Sequence, residues 1–230
     1  MRPDLGNPLA LALLAVLAML PFVAFPAIDT AVSALFFTGT GFGGVPFSET
    51  LRFALWRFSG VVLFAAFVLW LVALMRKRPA LGGSPRFWGL IVLTYTLGPG
   101  LMADGVLKRF WGRARPADVT DFGGTLGFTP PWWPSDQCLS NCSFVSGEVS
   151  GSTATAIALV LMLGLWRESL SPLAHRLMVA AAVALPLLSA LQRVASGRHF
   201  LSDVIFAALF TLLVASLLRV ALFGRKTPVA

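Results

Sequence analysis

The stretch Arg193-Val194-Ala195-Ser196-Gly197-Arg198-His199-Phe200-Leu201-Ser202-Asp203 passes without a break into Val204-Ile205-Phe206-Ala207-Ala208-Leu209-Phe210. A polar island is joined to an apolar run that continues to about residue 222, close to the ~20 residues that cross ~30 Å of hydrocarbon. Five more such runs, at about 8–28, 53–75, 87–106, 149–167 and 176–192, predict six membrane spans. The expected fold class is therefore all-α, a polytopic membrane protein with six transmembrane helices in one bundle. Of the 230 residues 57% are hydrophobic and only 12% are charged, a balance foreign to soluble domains. One domain over 1–230 accounts for the length, and no internal repeat points to a second.

Two other polar islands interrupt the apolar chain, Lys108 to Pro116 and Ser143 to Glu148. A cation at the centre of a membrane helix costs roughly 2.5–3.5 kcal/mol on insertion scales, so charge kept near the bilayer marks a functional site. The net charge of +8 with a pI of about 11.0 raises nucleic acid as a partner, but the positions of the cations argue for topology instead. Arg76, Lys77, Arg78 and Arg86, then Arg167 and Arg176, then Arg225 and Lys226, fall at ends that the positive-inside rule makes cytoplasmic. Both termini are then cytoplasmic, and the three islands face outward, in a bacterium into the periplasm from the inner membrane. Met1–Ala27 is expected to be a retained first span rather than a cleaved signal, because its apolar stretch exceeds a usual signal core. No nucleic-acid or protein partner is implied.

Cys138 and Cys142 fall in the second outer loop, about 117–142, where an oxidising compartment favours a disulfide. Without neighbouring histidines they make a poor zinc site. The same loop carries Pro130-Pro131-Trp132-Trp133-Pro134, either a lid over a lipid headgroup or an interfacial anchor. The first outer loop, about 29–52, contains Gly39-Thr40-Gly41-Phe42-Gly43-Gly44, a formal G-x-G-x-x-G with no strand before it. It is expected to be a flexible loop rather than a nucleotide site.

The islands hold the residue types that grip a phosphate and attack it. Lys108 and Arg115 are seven apart, so a helix continuing to Pro116 would place them on one stripe, offset by about 20°. One would supply a point charge and the other a planar fork. A basic cluster for anionic lipid is the plainer reading of the same residues. Asp104, four residues earlier, is a partner for Lys108. Ser146 and Gly147 precede the fourth span, where free N–H groups and the helix dipole favour an anion and a glycine admits close approach. Ser146 is equally an ordinary N-cap. His199 and Asp203 are four apart, so the carboxylate can reach the imidazole, fix its tautomer and leave the other nitrogen free to attack phosphorus. A break at Ser196-Gly197 would bring Arg193 back as a third clamp. His175 reads as cytoplasmic surface.

Lys108-x6-Arg115-Pro116, then Ser146-Gly147, then Arg193-x5-His199-x3-Asp203 resembles, in order and spacing, the three-part signature of the type 2 phosphatidic acid phosphatase superfamily. That resemblance implies a six-helix membrane core and hydrolysis through a phosphohistidine with no metal or other cofactor. It makes His199 the nucleophile, Asp203 its orienting partner, and Lys108, Arg115, Ser146, Gly147 and Arg193 the phosphate cradle. The chain departs from the pattern at Gln192, where serine is usual, and at Glu148, where a histidine usually protonates the leaving group. Glu148 can replace that acid only with a raised pKa. A weaker acid matters least with a good leaving group, which favours lipid A or a polyprenyl diphosphate over phosphatidic acid. The Ser-Gly-Glu motif also resembles the lipid A phosphatase branch. Lipid A is the favoured substrate; undecaprenyl diphosphate or phosphatidylglycerol phosphate is the alternative, and a vanadate-dependent haloperoxidase or an impaired lipid-binding relative stands further off.

Overall fold

The computed structural model describes residues 5–43 and 48–224, and among these the regular structure is helical, with no strand beyond isolated bridges. Met1–Asp4, Gly44 of the glycine-rich motif, Arg225 and Lys226 lie outside the described residues. Helix α1 (Pro8–Ala24) and α2 (Ala27–Ala34) meet at an angle of 80°. Pro26 lies between them, and a proline offers no N–H to carry the helix across. The first expected span is thus a broken helix. After it come α3 (Ser48–Arg76) and α4 (Pro85–Tyr95), which widens into a π-helical stretch, Thr96–Leu107, and closes in the single turn α5 (Lys108–Phe110). Pro99 lies within the widened stretch, where its missing N–H cannot close an α turn. Then follow α6 (Gly147–Leu165), α7 (Pro172–Ala195) and α8 (Leu201–Phe223). Among the described residues five helices are long and apolar enough to cross a membrane, six if the bent pair counts as one span.

The helix starts are written in the sequence. Ser84 and Ser171 accept from backbone N–H groups three residues on, each followed by a proline at the first helical position. Helix α6 is the most enclosed of the spans, packed against α3, α7, α8 and the π-helical stretch. Its Gly147–Ala158 half is mostly Gly, Ala, Ser and Thr, which lets neighbouring backbones approach, and hydroxyls there find partners across helices. Tyr95 Oη donates to Thr155 Oγ1 at 2.8 Å, Thr155 Oγ1 lies 2.7 Å from Ser59 Oγ, and Ser150 Oγ lies 2.6 Å from Thr211 Oγ1. In hydrocarbon such pairing avoids the cost of a bare polar group.

Two expectations about the first outer loop change. Its ends are helical, Asp29 within α2 and Glu49 and Arg52 within α3, so both contribute to packed structure. After α2 the described part of the loop is docked, because Phe37, Phe42 and Phe122 form an aromatic cluster with ring centroids 5.2–5.5 Å apart. That cluster lies directly above the turn that carries His199.

Candidate active site

Helix α7 ends at Ala195, and Gly197 takes a left-handed φ of +64°. A Cβ there would fall 2.3 Å from the Phe42 ring, so the turn needs glycine for both conformation and space. The reversal lets the N–H groups of Arg198 and His199 both donate to the Arg193 carbonyl, at 3.1 and 3.3 Å. His199 is thereby set just before α8 and is only 3% exposed. Its Nδ1 lies 2.7 Å from the backbone carbonyl of Ser143. A carbonyl only accepts, so in the neutral ring Nδ1 carries the proton and Nε2 keeps its lone pair.

Asp203, expected to hydrogen-bond the imidazole directly, lies 3.8 Å from Nδ1. Its lone pairs are committed elsewhere. Oδ2 accepts from Ser143 Oγ at 2.5 Å and the Phe200 N–H at 2.8 Å, and Oδ1 accepts from Arg113 Nη1 at 2.6 Å. Ser143 is therefore the direct orienting partner of His199, and Asp203 acts through Ser143 and through its charge. Burial pushes the His199 pKa below its usual 6.5; Asp203 opposes that shift, and the positive charges of Lys108 and Arg115 add to it.

Behind this pair is a network the sequence did not announce. Arg113 is fully buried and bridges two carboxylates, with Nη1 on Asp203 and Nη2 on Asp29 Oδ2 at 2.7 Å. Its Nε donates to the Thr129 carbonyl at 2.8 Å, and its guanidinium lies 4.4 Å from the Phe200 ring centroid. Asp29 also accepts from the Ser202 N–H at 2.8 Å and Ser202 Oγ at 2.6 Å. Arg113 falls within the Lys108–Pro116 island expected to face outward, and Asp29 at the edge of the first outer loop, so position in the sequence marks neither. Nothing local distinguishes Arg113 from Arg115; only burial does.

The expected helical stripe joining Lys108 to Arg115 is absent. The helix stops at Phe110, and Gly112, at φ +67°, turns the chain where a Cβ would lie 1.6 Å from the Ser135 carbonyl oxygen. Lys108 stays on the last turn, with Nζ 3.0 Å from Asp104 Oδ1, while Arg115 is on extended backbone. Arg115 donates to the Asn141 carbonyl through Nε at 3.2 Å and Nη2 at 2.7 Å. Burial, helped by the nearby charge of Arg198, lowers its pKa. Arg193 pairs with Glu148, Nε to Oε2 at 3.1 Å, and also donates to Gln192 Oε1. Glu148 accepts a second guanidinium, Arg52 Nε at 2.8 Å. Both Glu148 oxygens are thus engaged as acceptors. Ser146 caps α6 by accepting from the Val149 N–H, and its own N–H donates to the Asp203 carbonyl at 3.2 Å, tying α6 to α8.

These contacts draw the three islands to one end of the bundle. Lys108 lies against Gly147, Arg193 against Glu148, and Ser143 against His199 and Asp203. Lys108, Arg115 and Arg193 are each held by a protein acceptor, Asp104, the Asn141 carbonyl and Glu148 respectively. A cleft of about 870 Å³ opens onto Lys108 and Glu148 and runs between α3 and α6 past Trp56, Gly60 and Tyr95.

Two expected results follow from this geometry. A Cβ on Gly147 would lie 2.4 Å from Asp104 Oδ1 and 2.8 Å from Lys108 Nζ, the mobile ends of two side chains. Gly147→Ala should therefore fold normally but displace the lysine charge, lowering kcat/KM by roughly 10- to 100-fold with little change in melting temperature. Cys138 and Cys142 are disulfide-bonded, and the short loop they close supplies the Asn141 carbonyl that holds Arg115. Replacing both by serine should raise KM by a few fold, about 1 kcal/mol or less of lost preorganisation, with kcat nearly unchanged. An unaltered KM would separate the bridge from the site.

The sequence profile of the PAP2 superfamily matches residues 87–226 of the chain. A lipid A 4'-phosphatase of Rhizobium leguminosarum is 36% identical over 210 residues, covering 84% of this chain and 86% of that protein. A lipid A 4'-phosphatase of Rhizobium etli is 33% identical over 209 residues, and one of Francisella tularensis subsp. novicida is 35% identical over 142. These cover 84% and 59% of this chain, and 78% and 58% of the respective relatives. The fold is similar to that of a transmembrane PAP2-type phosphatidylglycerolphosphate phosphatase of Bacillus subtilis, with a TM-score of 0.57 at 19% identity over 93% of this chain and 94% of that one.

Proposed function

The chain belongs to the PAP2 superfamily, and from that premise we propose that it is a membrane lipid phosphatase that removes a phosphate from lipid A. The observation that supports the reading is the placement of His199, with Nε2 left free by the Ser143 carbonyl, within reach of the charges of Lys108 and Arg115 and on the turn bonded to the Arg193 carbonyl. Lys108, Arg115 and Arg193, with Ser146 and Gly147 at the start of α6, take the three non-bridging oxygens. His199 Nε2 forms a bond to phosphorus as the P–O bond to the sugar breaks, and the leaving oxygen takes a proton from a water molecule, giving a phosphohistidine and the lipid alcohol. Water then attacks phosphorus, the P–N bond breaks, and inorganic phosphate leaves. Asp203 stabilises the charge that develops on the imidazole, through Ser143 and across 3.8 Å. Glu148 completes the set as the carboxyl that exchanges Arg193 for the incoming phosphoryl group.

The distribution of Arg76, Lys77, Arg78, Arg86, Arg167 and Arg176 supports cytoplasmic termini and a site on the periplasmic face of the inner membrane. The relatives' names refine the substrate argument. A 4'-phosphate is attached to an ordinary ring hydroxyl and not to the anomeric carbon, so an easy leaving group does not account for Glu148. A direct comparison decides the substrate: purified protein is given lipid A carrying phosphate only at the 4' position, lipid A carrying it only at the anomeric position, undecaprenyl diphosphate, phosphatidylglycerol phosphate and phosphatidic acid. Released phosphate is expected fastest from the 4' ester. Faster release from phosphatidic acid than from both lipid A forms defeats the assignment.

A further inference from the structure

The ion pairs at the mouth of the cleft include a member that the proposed chemistry leaves unused. Arg52, near the start of α3, donates through Nε to Glu148 Oε1 at 2.8 Å and through Nη1 to Glu49 Oε2 at 3.1 Å. Glu148 Oε2 lies 3.1 Å from Arg193 Nε, and Glu49 Oε1 lies 3.9 Å from Arg193 Nη2. Two carboxylates and two guanidinium groups close a ring that is balanced in charge. Its members differ in access: the Arg193 side chain is 6% exposed, Glu148 26% and Arg52 36%. Arg52 and Glu148 also line the cleft, alongside Lys108 and Gly147. The start of α3 is fixed there by a second tie, from Gln192 Nε2 to Ser48 Oγ at 2.7 Å.

A phosphoryl dianion needs the Arg193 fork, and Glu148 occupies it. When the dianion takes that fork, Glu148 loses one guanidinium and gains a like-charged neighbour in a partly dehydrated site, where repulsion exceeds its value in water. With Arg52 present, Glu148 retains a partner on the α3 side. Without Arg52, the carboxylate and the phosphoryl group compete for one guanidinium. Glu49 cannot relieve this, being itself an anion.

We propose that Arg52 is a positioning residue for the phosphatase: it draws Glu148 to the α3 wall of the cleft and so frees Arg193 for the phosphoryl group. The inference rests on the reading of Lys108, Arg115 and Arg193 as a phosphate cradle. Its consequence is a specific coupling, because removing Arg52 harms anion binding only while residue 148 is a carboxylate.

The test is a double-mutant cycle on the purified full-length protein, with Arg52→Gln, Glu148→Gln and the two combined. Orthovanadate binding is measured by calorimetry, and phosphate release is measured from lipid A in mixed micelles. Arg52→Gln should weaken vanadate binding about tenfold and raise KM by a similar factor with kcat within about twofold, the size of a coupled charge contact. In the Glu148→Gln background the same replacement should change vanadate affinity less than about twofold. Arg52→Lys, which keeps the charge and is less disruptive should the glutamine variant fold poorly, should recover most of the affinity. Equal losses in both backgrounds, or wild-type vanadate affinity in Arg52→Gln, overturn the proposal, as does a wild-type protein that binds no vanadate. Should the coupling be found while the wild type releases phosphate from no lipid, the role of Arg52 stands and the lipid phosphatase reading falls.

Discussion

His199→Ala should remove phosphate release from lipid A almost entirely, by more than ~10³-fold, with KM changed little. The cradle does not depend on the imidazole: Lys108, Arg115 and Arg193 keep their places through Asp104, Asn141 and Glu148. Binding therefore survives while the bond-forming atom is gone. The wild-type enzyme, quenched in alkali during turnover of labelled substrate, should carry acid-labile phosphate on protein, and the variant should carry none. The pH dependence follows from the same residue. Burial and the nearby cations hold the His199 pKa below 6.5, so the neutral, attacking form persists as pH falls past 6.5, and the acid limb of kcat/KM lies under that value. For stability the sign is the same: the unfolded chain takes up this proton first. The contribution of His199 is complete above 6.5 and is lost as pH falls from there through the depressed folded value. Undiminished turnover by His199→Ala, or an acid limb well above 6.5, excludes His199 as the attacking group.

How much of this was legible depends on the range of the contacts involved. The spans at 53–75, 87–106, 149–167, 176–192 and 203–222 were readable because apolar runs and serine or proline starts are local signals, and they fall on α3, on α4 with its π-helical continuation, and on α6, α7 and α8. The break after Ala195 was also readable, from Ser196-Gly197. What a single sequence hides is which cation meets which anion. Arg113 and Arg115 are two residues apart, yet one is fully buried between Asp29 and Asp203 and the other grips the Asn141 carbonyl. Lys108 and Arg115 suggested a helical stripe because their spacing suited one, but Gly112 was the stronger signal and ended it. Asp203 suggested a direct bond to His199 on i,i+4 spacing alone, although a carboxylate already serving Arg113, Ser143 and Phe200 has little left to offer. Arg52 and Glu49 looked like the tail of a loop, and their pairing with Glu148 and Arg193 spans from about a hundred to nearly 150 residues of sequence that no periodicity connects.

Arg113→Ala should cost more stability than any other single replacement near the site. Its guanidinium is the only cation bonded to either Asp29 or Asp203 among the described residues' ion pairs, and all three side chains are sealed from solvent. Replacing a whole buried ionic network by apolar groups is often neutral, but removing one partner strands the rest, at roughly 3–5 kcal/mol. Here two carboxylates would be stranded together, with Thr129 and the Phe200 ring losing their partner as well. For a chain of this size that loss corresponds to a fall in melting temperature of about 10 °C or more. The loss should be partly reversed by adding Asp29→Asn, since one uncompensated charge then disappears. The double variant is expected to melt above Arg113→Ala even though Asp29→Asn alone destabilises. Thermal unfolding in detergent, followed by circular dichroism, reads the cycle. Strictly additive losses would show that Arg113 and Asp29 act independently. A positive coupling would place α2, and with it the bent first span, in the same buried unit as Asp203 and the turn that presents His199.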